Sequence, residues 1–359
     1  LPPPPPPPTV LSGQFKDANV SGLAYLTPNQ SGETDALGTF QYQAGETVEF
    51  SIGGVIIGSA PGDAIVTPID LVPGGTADDT AVQNIIRFLM MLDQDEDPTN
   101  GIGISQAVRD VAANWAAVDF ATNDLANELV TIISDVASVD SRAAALPGAA
   151  TASNHIRETL YCTLAGVFTG TRTTGGDVVG SIAFIVDPLT GEILSSYTGS
   201  TGNFTGTPVS ADTARAFDLS RGNDTISGRF DSHDEISGSW LFGENSGEFT
   251  ASRLAGGRDD YIRFVGRFAT TTNLPELLDG LQVFNVDTDG NLTGIATRIG
   301  TGNEYTLNGT LVGNDFDFQS SANRTWTGVL DENLYAEGEN VNNNGGTAGP
   351  WEAQGCRLN

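Results

Sequence analysis

The feature that most constrains this chain is an internal duplication. The segment Gly166-Val167-Phe168-Thr169-Gly170 is echoed at Gly266-Arg267-Phe268. Phe184-Ile185-Val186-Asp187 returns as Phe284-Asn285-Val286-Asp287, and Ile226-Ser227-Gly228 as Trp326-Thr327-Gly328, each at an offset of 100 residues. Asp231 and Gly238 recur as Asp331 and Gly338, and Gly247-Glu248-Phe249 returns slightly late as Gly349-Pro350-Trp351. A period of that length is a whole folding unit and not one rung of a solenoid. Two tandem copies of one fold are expected, over residues 162–258 and 259–359.

Within each copy, short apolar runs are punctuated by Gly, Asn and Asp about every ten residues, the pattern of strands joined by tight turns. Strands are expected around Phe168, Phe184, Ile193, Phe204, Phe217, Ile226, Trp240 and Phe249 in the first copy. In the second they centre on Phe268, Phe284, Leu292, Tyr305, Phe316, Trp326, Leu334 and Trp351. Eight such strands form an antiparallel meander, closed as an up-and-down barrel or folded as a sandwich. Closure leaves no exposed edge, and a barrel of eight strands is narrow enough for side chains to fill. The phrase Gly247-Glu248-Phe249-Thr250-Ala251-Ser252-Arg253 resembles the last strands of eight-stranded barrels in bacterial surface lipoproteins such as transferrin-binding proteins.

Ahead of the duplication the pattern changes twice. Residues 17–75 alternate as strands and turns: Val20 to Tyr25, Thr39-Phe40-Gln41-Tyr42, then Val48-Glu49-Phe50-Ser51-Ile52 after a turn at Gly45. Over residues 19–57 this resembles the carboxypeptidase-regulatory or transthyretin-like β-sandwich of bacterial surface proteins, which implies a spacer or adhesion unit without catalytic residues. Residues 76–161 carry helical spacing instead, with Val82, Ile85, Ile86 and Leu89 on one face after a cap at Asp78 or Thr80. Further helices are expected through Val108 to Trp115, Leu125 to Val136 and Ser153 to Leu160. The whole chain thus reads as mainly β: a sandwich with a small helical segment, then two eight-stranded meanders.

Residues 1–16 are read as an arm, because Pro2, Pro3, Pro4, Pro5, Pro6, Pro7 and Pro8 follow Leu1 without a break. Proline fixes φ and offers no amide donor, so the tract is a polyproline II rod of about 3.1 Å per residue. Such a rod docks in aromatic-lined grooves, and the groove is expected on a neighbouring copy.

Charge and cysteine content point to the setting. With 45 acidic against 16 basic residues and a net charge of −29, the surface repels phosphate backbones, which excludes nucleic acid as a partner. The sequence opens at Leu1, and no run of 18 apolar residues occurs. The expectation is an exported protein, its signal removed, at the cell surface and without a membrane span. Cys162 precedes the first strand of copy one and Cys356 lies in the last strand of copy two. A bond between them would close a loop of about 190 residues, worth about 4–5 kcal/mol in the chain-entropy model. An intermolecular bridge or two buried thiols are the rival readings.

The sharpest local cluster is Asp93-Gln94-Asp95-Glu96-Asp97-Pro98-Thr99-Asn100-Gly101. Alternate oxygens on one side of a loop suit a hard cation such as Ca2+, which takes six to eight oxygen ligands, so Asp93, Asp95, Asp97 and Asn100 are candidate ligands. The run resembles the opening of an EF-hand or dockerin loop, but Pro98 replaces the turn glycine and Ile104 the bidentate glutamate. Asp287 and Asp289 form a second candidate, with a plain hairpin turn as its rival. Two histidines, His155 and His233, stand apart, and no nucleophile elbow, zinc-protease helix, phosphate loop or haem motif is present. No enzyme is expected. The leading reading is an extracellular structural subunit that assembles with copies of itself into a filament or matrix through its proline arm. The alternative is a monomeric adhesin that binds a glycan or a small ligand.

Overall fold

The computed structural model describes residues 9–197, 203–254, 262–270, 280–298, 301–346 and 348–358. The proline tract, Pro2 to Pro8, lies outside them. The chain divides into two compact units, residues 1–160 with 211–213, and residues 161–210 with 214–358.

In the first unit Thr39–Gln43 and Ile65–Val66 flank Val10–Phe15. That strand falls within the stretch assigned from sequence to the arm, because Val10 to Gln14 pair antiparallel with Gln43 to Thr39. A second sheet has the order Ser31–Glu33, Ala24–Leu26, Thr47–Ile52, Val55–Pro61. Rings from both sheets meet in the core, Phe15 at 4.7 Å and Phe40 at 5.2 Å from Phe50. The helices Thr80–Leu92, Gln106–Ala112 and Val130–Asp140 add Phe88, Leu92, Val108, Ile132 and Val136 to the same apolar cluster. Helix Thr80–Leu92 starts after Asp79, one residue from either expected cap. Asp79 accepts from Thr76 N at 2.8 Å instead of bonding into the helix.

The second unit contains the duplicated sheets. Eight strands, Ile262–Phe268, Gly280–Val286, Asn291–Arg298, Glu304–Val312, Asp315–Ser320, Arg324–Leu330, Tyr335–Asn342 and Ala348–Arg357, form a closed barrel, the last pairing with the first. Its interior is filled by rings: Phe264 stacks on Phe284 at 5.0 Å, Phe318 on Trp326 at 5.4 Å, and Trp351 lies edge-on to Phe284, Phe316 and Phe318. Each such contact adds about 0.5–1.5 kcal/mol beyond area burial. Rings this large fit because glycines face them. A Cβ on Gly338 would lie 1.9 Å from Thr327 O and 2.7 Å from Trp351 Nε1.

The first copy repeats this order from Gly166–Thr174 to Asn245–Arg253 but is only nearly closed. Its fourth strand is reduced to Thr205–Gly206, and the gap to Ile193–Tyr197 is spanned by one bridge, Ser195 with Phe204. Residues 211–213 group with the first unit, where Ala211 O accepts from Ala77 N at 2.8 Å. In the second unit the two copies share an apolar cluster that includes Val167, Ala183, Leu254, Val265, Leu281 and Val283. This accounts for Gly280–Val286, in which every residue is buried: one face points into its own barrel and the other toward the first copy.

Strand pairing corrects the register read from sequence. Gly170 pairs with Ala251 and Gly266 with Ala353; Phe168 pairs with Phe184 and Phe264 with Phe284. The counterpart of Gly266 is therefore Gly170, at an offset of 96, while Phe184 and Phe284 keep the offset of 100. The connection after Phe268 is four residues longer than the one after Arg172. An even shift keeps every side chain on its own face of the sheet, so the hydrophobic pattern alone does not reveal it.

Candidate functional site

The acidic loop is built where helix Thr80–Leu92 ends. Asp93 turns extended, with φ −61° and ψ 123°, and the chain returns ten residues later. Asp93 bridges Ile104, and Gln94 N donates to Gly103 O at 2.9 Å. The returning strand Ile102–Gly103 runs parallel to Val20–Ser21, with Ile102 N donating to Asn19 O at 2.7 Å.

Within this frame the four candidate ligands separate. Asp93 is 1% exposed; its Oδ1 accepts from Gly103 N at 2.9 Å, and its Oδ2 is buried without a hydrogen-bond partner. Burial first, and the neighbouring Asp95 charge after it, push the Asp93 carboxyl up to about 6. Asp95 accepts from Asn100 Nδ2 at 3.0 Å and Asp97 N at 3.1 Å, which hold its carboxyl below the usual range. Asp93, Asp95, Asn100 and Asn19 line one cavity of about 270 Å³. Asp97 is not in that lining. It caps the turn Pro98–Asn100, accepting from Thr99 N at 3.2 Å and Thr99 Oγ1 at 2.6 Å.

Two carboxylates and two amides thus converge, fewer than an EF-hand supplies. Among the described residues no group of three or more His, Cys, Asp or Glu is placed to hold a metal ion. A buried carboxylate with one oxygen unsatisfied, as at Asp93, either takes up a proton or is compensated by a cation. The second candidate forms a turn. Asp287 Oδ1 accepts from Asp289 N at 2.9 Å and Asn291 N at 2.8 Å, and Oδ2 from Asn291 Nδ2 at 2.9 Å, so Asp287 pins the hairpin and Asp289 is exposed beside it.

Cys162 and Cys356 form a disulfide within the chain, tying the end of helix Ala149–Leu164 to the last barrel strand. His233 is buried, with Nδ1 2.7 Å from Asp234 Oδ1. Burial, then the Arg253 charge, depress it to about 3, so it stays neutral. His155 faces the fully buried Asp17 at 3.3 Å. The sequence offered no signal for that pair, whose members lie on elements far apart in the chain.

A further cavity, of about 150 Å³, opens among strand ends of the closed barrel and is lined by Arg298, Arg324, Ser320 and Trp326. Sequence reading singled out only Trp326 among these, as a strand centre.

No family model, curated protein or solved structure matches this chain.

Proposed function

We propose that this is an extracellular structural protein, a subunit of a surface filament or matrix that assembles head-to-tail through its proline-rich arm. The observation that carries the reading is the centre of both copies, where packed rings occupy the middle that a carrier protein would leave for a large cargo. Bodies of that kind offer rigid surface. The disulfide between Cys162 and Cys356 adds covalent closure suited to an oxidising compartment. A contact between an arm on one copy and a different surface on the next does not close on itself and gives an open polymer. In this reading Ca2+ binds at Asp93 and Asp95 and fixes the acidic loop. Catalysis has no part in it.

The deciding experiment is sedimentation velocity, with electron microscopy, on the full chain and on a chain lacking residues 1–8. Polymers are expected from the first and single particles from the second. A full chain that stays a single particle at high concentration overturns the filament. The alternative, a monomeric binding module for a glycan or small ligand, is favoured by the cavity among the barrel strand ends.

A further inference from the structure

The two copies differ in what fills one end of the barrel. In the first copy the Arg172 guanidinium lies 4.3 Å from the Tyr197 ring and 5.2 Å from the rings of Trp240 and Phe242, plugging the sheet from within. Strand register identifies the counterparts. Arg172 pairs with Gly180 as Phe268 pairs with Gly280, and Ile182 with Tyr197 as Gln282 with Ala296. Ile226 pairs with Trp240 as Trp326 with Asn340. Tyr197, Trp240 and Phe242 are therefore replaced by Ala296, Asn340 and Asn342. Three rings are lost, and the cavity of about 150 Å³ occupies that end of the second copy.

What lines it is donor-rich. Arg324 is oriented by Asn340, donating from Nε to Oδ1 at 2.6 Å and from Nη2 to the backbone oxygen at 3.0 Å. Arg298 lies beside it, close enough for its charge to oppose that of Arg324, and among the described residues of the lining there is no Asp or Glu. Two further donors have nothing to donate to. Trp326 is 1% exposed and its Nε1 has no partner, and Ser320, 8% exposed, has an unpartnered Oγ. The other three tryptophans each donate: Trp115 to Asp135, Trp240 to Glu248 O and Trp351 to Thr327 O. A buried donor left unmade is costly, and natural interiors rarely leave two in one cavity.

We propose that this cavity binds a small carboxylate. The carboxylate oxygens accept from Trp326 Nε1, Ser320 Oγ and the guanidinium groups, and a flat apolar body lies against Phe268 and Tyr305. A cavity of about 150 Å³ admits a body the size of benzene. The site stands apart from the filament reading, since it involves neither the arm nor the acidic loop.

Benzoate is the probe. Calorimetric titration of the full chain is expected to give one site per molecule, with benzamide, its neutral isostere, showing none. Trp326→Phe, which removes the N–H together with the five-membered part of the indole, and Arg298→Gln should each weaken benzoate by about tenfold or more, the loss of one strong hydrogen bond. If Arg298→Gln does not fold, Ser320→Ala serves as the second variant. Absence of benzoate binding, equal binding of benzamide, or unchanged affinity in the variants overturns the proposal.

Discussion

Asp93 gives the acidic loop a pH signature whose sign depends on whether a cation is bound. Its folded pKa is raised from 3.8 to about 6, so the folded chain holds this proton more tightly than the unfolded one. Stability from this group is therefore present at low pH, declines as pH rises from about 4 to about 6, and is level above. In chelator, melting curves of the wild type should fall across that window, and Asp93→Asn should flatten the fall. The same substitution should raise Tm at pH 7 by about 2–4 °C for each kcal/mol recovered. Added Ca2+ should reverse the wild-type trend, because a bound cation favours the ionised form. Identical midpoints with Ca2+ and with chelator would remove calcium from the account. His155 has a different signature: burial pulls its pKa down, but the Asp17 carboxylate outweighs this and the net shift is upward. The pair's contribution is complete below the ordinary histidine value near 6.5 and is lost as pH rises through the raised one. His155→Gln should abolish that alkaline loss in thermal melts between pH 6 and 9. The cluster around Asp93 was legible because carboxylates recur at alternate positions. Which oxygens turn inward was not, because that is set by Gly103 and Ile104 returning from ten residues away.

At the scale of elements, the strands of the duplicated region were legible because turn residues bracket each apolar run, and the expected centres fall on or beside the observed strands. Leu334 is the instructive near miss: with φ 58° it sits in the turn before Tyr335–Asn342. The incomplete closure of the first copy was not legible, since Phe204 keeps its aromatic side chain while most of the strand beside it has been replaced by a connection. Closure of the second copy depends on positions without a side chain. Gly338→Ala puts a methyl against Thr327 O and the Trp351 ring, and overpacking of this kind costs about 1–3 kcal/mol or more. Chemical denaturation should show that loss, whereas Val312→Thr, at a site 71% exposed, should leave the midpoint unmoved. The Cys162 to Cys356 bond spans 194 residues of sequence. Replacing both cysteines by serine should lower stability by about 2–5 kcal/mol, and the reduced wild type should melt with the double variant. If the double variant melts with the oxidised wild type, the bond adds nothing to the stability of this unit.

For the molecule as a whole, a net charge of −29 sets the terms on which copies can meet. Like-charged bodies repel over about 10 Å at 0.1 M salt and over only about 3 Å at 1 M. A contact made by a polyproline rod contains no ionic groups of its own, because the tract is uncharged from Pro2 to Pro8. Its attraction is apolar and indifferent to salt, while the repulsion it must overcome is not. Assembly through the arm should therefore strengthen as NaCl is raised from about 10 mM to about 500 mM, the Debye length falling throughout. A contact built on ion pairs weakens over the same range. Sedimentation velocity at several salt concentrations separates the two, and removal of residues 1–8 should abolish association at every one of them. Polymers that dissolve in salt, or that persist without the arm, would place the contact on the charged faces of the barrels and leave the proline tract as a spacer.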